Sequence, residues 1–96
     1  MRRDEALRIL AAHRADLDRH AVKQLALFGS VARDDARPES DVDILVEFSE
    51  PVGLFGFAGL QLYLAEILGR PVDLVPRDSI RRQLRERILR EAIPAN

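Results

Sequence analysis

The chain has no cysteine, which excludes disulfides and thiolate metal centres and removes any pointer to an oxidising compartment. It has no long apolar run. The longest, over residues 54–68, contains Gln61 and Glu66 and is too short and interrupted to span a bilayer. Met1 to Glu5 lead into charged helical sequence and lack the apolar core of a signal peptide. No sign of charge dominates: 15 basic and 16 acidic residues leave a net −1, so there is no global attraction to nucleic acid. Lys23 is the only lysine. These absences predict a cytoplasmic protein with no membrane partner.

What remains is ordinary for a soluble globular chain: 96 residues, 47% hydrophobic and 32% charged. That length predicts a single domain over residues 1–96, with one core. The charge is unevenly placed. From Asp34 to Glu50 there are seven acidic residues against Arg37 alone, whereas from Arg77 to Glu91 six arginines face Asp78, Glu86 and Glu91. One end of the molecule is suited to cations and the other to an acidic partner.

Periodicity supplies the elements. Leu7, Leu10 and Leu17 share a stripe and predict a helix from about Arg3 to Asp18. Val22 to Phe28 reads as a strand ending at Gly29, followed by a short helical turn to about Asp35 and a second strand from about Asp41 to Phe48. Leu54 to Leu68 is apolar at helical spacing, with Gly69 as its C-cap and Pro71 barring continuation. Pro71 to Val75 makes a third strand. Asp78 or Ser79 caps a last helix reaching Glu91, on which Ile80, Leu84 and Ile88 form a stripe. The order α-β-β-α-β-α predicts an α/β (α+β) domain: a small mixed sheet of about three strands backed by helices.

The second strand carries the anomaly. Val42, Ile44, Val46 and Phe48 fill one face, which leaves Asp41 and Asp43 together on the other. Two close carboxylates repel unless a cation or a proton lies between them. They could ligate Mg²⁺, which takes one or two carboxylates and leaves positions for water and phosphate. Glu47 shares their face but lies about 13 Å beyond Asp43 at ~3.3 Å per residue, too far to share an ion. Asp73, alone between Val72 and Leu74 on the third strand, is the better third carboxylate. Upstream, Gly29-Ser30 closes the first strand. Taken alone that is an ordinary turn, but a glycine there also lets a phosphate reach free backbone N–H groups.

The set is more specific than its parts. Gly29-Ser30, ten intervening residues and Asp41-x-Asp43 resemble the signature of the DNA-polymerase-beta-like nucleotidyltransferase superfamily. The runs Phe28-Gly-Ser-Val-Ala-Arg33 and Ser40-Asp-Val-Asp-Ile-Leu-Val46, with Val72-Asp-Leu-Val75 later, are similar to its minimal (MNT) branch. The resemblance implies a nucleotidyltransferase fold in which Gly29, Ser30, Arg33 and Ser40 bind the nucleotide. It implies that Asp41, Asp43 and Asp73 are catalytic and hold Mg²⁺, in all two ions. It further implies transfer of AMP from ATP to a tyrosine of a HEPN-domain ribonuclease toxin, the chain acting as antitoxin. The other reading is a non-catalytic protein that neutralises its partner by binding it. Where many relatives carry glycine after the motif arginine, this chain has Asp34, then Asp35, which adds negative charge near the triphosphate.

Other features carry less. The arginines at 81, 82, 85, 87 and 90 surround the last helix rather than forming a stripe, with almost no aromatic residue nearby to stack on bases, so nucleic acid is not the expected partner. His13 and His20 read as surface histidines and Tyr63 as a core-edge aromatic. The helix over residues 54–68 has more apolar faces than a small sheet covers, which points to homo-oligomer formation or partner docking.

Overall fold

Two-residue alternation in the strands decides the architecture. A computed structural model of the chain describes residues 1–95. Strands β1 (Val22–Phe28), β2 (Val42–Phe48), β3 (Val72–Pro76) and the short β4 (Ile93–Pro94) form one mixed sheet in the order β3-β2-β1-β4. β1 pairs antiparallel with β2 and with β4, and β2 pairs parallel with β3. The parallel pair is joined through α4 (Leu54–Leu68), as parallel neighbours require a crossover. The expected α/β class with a mixed sheet is therefore observed. β4 is an addition: two residues pairing Leu27 with Ile93 and Ala26 with Pro94 are too few to leave a periodic pattern.

The core lies on one face of the sheet. Leu25 and Leu27 of β1, Val42, Ile44 and Val46 of β2, and Val72 and Leu74 of β3 are buried. They meet Leu60, Leu64 and Leu68 of α4 and the buried Ala6, Leu10 and Leu17 of the N-terminal region. That region is not the one helix expected. It is split into α1 (Arg3–Ala12) and α2 (Arg14–Arg19) at His13. The His13 ring donates from Nδ1 to the Ile9 carbonyl at 2.8 Å, while its backbone N–H turns to Leu10. A side chain has taken the acceptor that the next turn of helix would use. Leu10 and Leu17 still reach the core.

α4 keeps the expected bounds, and Gly69 ends it in the left-handed conformation at φ 66°. The last helix differs. Asp78 and Ser79 lie in a 3-10 turn (Arg77–Ser79), Ile80 and Arg81 are extended, and α5 (Arg82–Glu91) begins only afterwards with no side-chain cap. The expected stripe is therefore broken: Ile80 is outside the helix and Leu84 is 46% exposed. Among the described residues no helix is long and apolar enough to cross a membrane.

Candidate active site

The register that buries the core aligns the polar residues on the opposite face. Phe28 stands opposite Asp43 across β1 and β2, and Asp43 opposite Asp73 across β2 and β3. Asp41 immediately precedes β2, two residues from Asp43 and so on its side of the strand. The three carboxylates thus gather where β2 and β3 begin. Asp43 is half-buried; Asp41 and Asp73 are exposed.

Gly29 opens α3 (Gly29–Ala32) directly beside them. Its φ is +70°, where any other residue is strained, and a Cβ there would collide with the Asp43 carboxylate. Glycine is thus required twice, by backbone conformation and by the close approach of Asp43. Ser30 follows in the first turn of α3, and its carbonyl accepts the N–H of Asp35 at 2.9 Å.

The electrostatics of the cluster follow from burial and like charge. Burial pushes the Asp43 carboxyl above its ordinary range; Asp73 and then Asp41 push it further, while the Arg33 charge opposes them. Extra positive charge would reverse that shift. Among the described residues no group of three histidine, cysteine, aspartate or glutamate side chains is arranged to hold a metal ion unaided. Carboxylate oxygens, with Asp41 and Asp73 exposed, fit a hard cation completing its shell with water and phosphate.

Arg33 ends α3. Its Nε donates to Asp35 and a terminal nitrogen donates to Glu91 of α5, both at 3.2 Å. Glu91 was not legible as a site neighbour: 58 residues separate it from Arg33, and only its opposite charge could have suggested the pair. Ser40 is engaged in its own loop, with its hydroxyl accepting the N–H of Arg37 at 3.0 Å and its carbonyl accepting Arg70 at 3.1 Å.

Asp34 corrects an expectation. It sits at φ 62°, a left-handed position at which Asp is among the few tolerated non-glycine residues. Its carboxylate accepts the backbone N–H of Arg3 at 3.0 Å and approaches the Arg2 guanidinium at 3.9 Å. The charge expected beside a triphosphate is spent on the N-terminus of α1, where an anion is favoured.

The histidines also differ from expectation. Neither is fully exposed. His20 stacks on Tyr63 with centroids 5.2 Å apart, and His13 meets the same ring edge-on at 6.2 Å. Tyr63 donates to Asp16 at 2.8 Å, and its hydroxyl is pushed up to about 12, by burial first and then by Asp16. This cluster ties α4 to α2 and, as expected, Tyr63 packs at the core edge.

Comparison with known proteins decides the family. The nucleotidyltransferase domain family matches residues 8–96. The chain belongs to that family. As a nucleotidyltransferase it is 41% identical over 91 residues to the protein adenylyltransferase MntA of Thermococcus cleftensis, spanning 94% of this chain and 92% of that one. A solved structure described as a minimal nucleotidyltransferase superposes with a TM-score of 0.84 at 40% identity, covering 98% of this chain and 96% of the other. The fold also occurs in a complex of a tri-AMPylated Shewanella oneidensis HEPN toxin with its MNT antitoxin. There the TM-score is 0.60 at 19% identity, over 91% of this chain and 71% of that one.

Proposed function

We propose that this nucleotidyltransferase transfers AMP from ATP to a protein hydroxyl, the tyrosine of a cognate HEPN ribonuclease toxin, with Mg²⁺, and so serves as the antitoxin. The observation that carries the chemistry is the row that sets Asp43 against Gly29 on one side and Asp73 on the other. The similarity to a protein adenylyltransferase supports the reaction class, and the fold shared with an MNT antitoxin supports the partner class.

Gly29 and Ser30 present the opening turn of α3 to the triphosphate, with Arg33 and Ser40 at its margin. Asp41, Asp43 and Asp73 are the residues that would hold the cation. When bound, Mg²⁺ neutralises charge on the reacting phosphate and on departing pyrophosphate. The acceptor oxygen approaches the α-phosphorus in line, Asp73 takes its proton, the new P–O bond forms and the bond to the β-phosphate bridge breaks. Asp73, the exposed carboxylate of the pair, is open to an incoming protein.

A second reading has its own observation. Leu54, Phe55 and Leu62 of α4 are 80%, 91% and 72% exposed, an apolar surface suited to masking a partner by contact alone. One experiment separates the two. Incubation with α-labelled ATP, Mg²⁺ and a cognate HEPN-domain protein is expected to label that protein on tyrosine, and Asp43→Asn is expected to abolish both labelling and protection. Protection that survives in Asp43→Asn without labelling establishes the contact reading instead.

A further inference from the structure

Asp41 stands just outside the ladder that orders the other two carboxylates. β2 begins at Val42, so strand pairing sets Asp43 opposite Asp73 but does not reach Asp41. Its place is set by its two neighbours, and both are tied to one short segment, Arg70-Pro71. The Val42 N–H donates to the Pro71 carbonyl at 2.9 Å. On the other side, a terminal nitrogen of Arg70 donates to the Ser40 carbonyl at 3.1 Å. Ser40 also closes the turn from Arg37: its N–H donates to the Arg37 carbonyl at 2.9 Å, and its hydroxyl accepts the Arg37 N–H at 3.0 Å. That turn is local; the bond from Arg70 joins it to the strand carrying Asp73. The segment is stiff. Gly69 ends α4 in the left-handed conformation, so Arg70 leaves the helix directly, and the Pro71 ring fixes φ ahead of β3. Arg70 is half-buried, and its Nε is buried without a hydrogen-bond partner. A buried N–H left unpaired is destabilising, so stability of the fold does not by itself account for arginine at this position.

We propose that Arg70 is a positioning residue for the cation site: by holding the Ser40 carbonyl, it sets Asp41 beside Asp43 and Asp73. The inference rests on the reading of these three carboxylates as the cation's ligands. It adds the group that gives the least anchored of them its geometry. Partners that orient a metal ligand without touching the ion govern affinity, because a misplaced ligand has to be brought back before it can bind. Arg70 reaches Asp41 through a backbone carbonyl, which asks only for an N–H donor of similar reach. A lysine ammonium supplies one and a methionine thioether does not.

The test measures binding of Mn²⁺, a spectroscopic substitute for Mg²⁺, to the full chain with a non-hydrolysable ATP analogue, alongside thermal melting without metal. Arg70→Met keeps an apolar stem and removes the donors; it is expected to weaken Mn²⁺ binding roughly tenfold. Arg70→Lys restores a donor and is expected to stay within about threefold of the wild type, with the two variants melting alike. In an Asp41→Asn background, Arg70→Met is expected to add no more than about twofold, because the ligand it positions is already gone. Unchanged Mn²⁺ affinity in Arg70→Met, a loss in Arg70→Lys as large as in Arg70→Met, or an undiminished loss in the Asp41→Asn background overturns the assignment and leaves the proposed function standing. A wild type that binds no Mn²⁺ overturns both.

Discussion

The two faces of β2 are built from alternate residues of one seven-residue strand, yet they do different work. Val42, Ile44 and Val46 are at most 1% exposed and meet the helices; Asp43 and Glu47 on the other side are only half-buried and gather charge. A single register serves both. Pairing Ile44 with Leu27 and Leu74 also pairs Asp43 with Phe28 and Asp73, and a slip of one residue would bury the carboxylates and expose the core. The apolar face therefore positions the carboxylate-bearing one.

Substitutions on either side sharpen this contrast. The largest stability loss is expected from Ile44→Ala, a fully buried side chain: about 2–5 kcal/mol, read by chemical denaturation, with nucleotide transfer preserved at temperatures where the variant remains folded. Gly29→Ala is expected to cost about 1–2 kcal/mol for its left-handed backbone. Because the added methyl collides with Asp43, transfer should fall far more than stability, which comparison of kcat with the unfolding curve will reveal. Asp34→Gly is expected to move stability by a few tenths of a kcal/mol, since glycine relieves the positive φ while the contact to Arg3 is lost, and to leave KM for ATP unchanged because Asp34 faces α1. A KM that falls severalfold would return that charge to the triphosphate.

What could be read without coordinates follows the same division. Alternation placed Val42, Ile44 and Val46 against Asp41 and Asp43, and helical spacing with Gly69 delimited α4, because each signal lies within one element. The break at His13 was hidden because it depends on a ring taking the Ile9 carbonyl, while the leucine stripe runs through it undisturbed. The late start of α5 was hidden because Asp78 and Ser79 are good caps that the chain does not use. Contacts across long separations left no period at all: Glu91 on Arg33, Asp34 on Arg3, and the two-residue β4. Asp34 shows the cost of reading charge without direction, since its sign was plain and its orientation was not.

The central claim is that Asp43 serves chemistry at the expense of the metal-free fold. Its carboxyl is raised above the ordinary range by burial and by Asp73 and Asp41, so the folded protein binds its proton more tightly than the unfolded chain does. That contribution is present at low pH and lost as pH rises through the folded-state value. Measuring the melting temperature of wild type and Asp43→Asn in chelator across this range, with AMP transfer assayed on the same preparations, tests the claim directly. The account predicts that Asp43→Asn melts higher than wild type at neutral pH, loses that advantage in acid and transfers no AMP. A variant that melts lower at neutral pH, or that still transfers AMP at the wild-type rate, would contradict it.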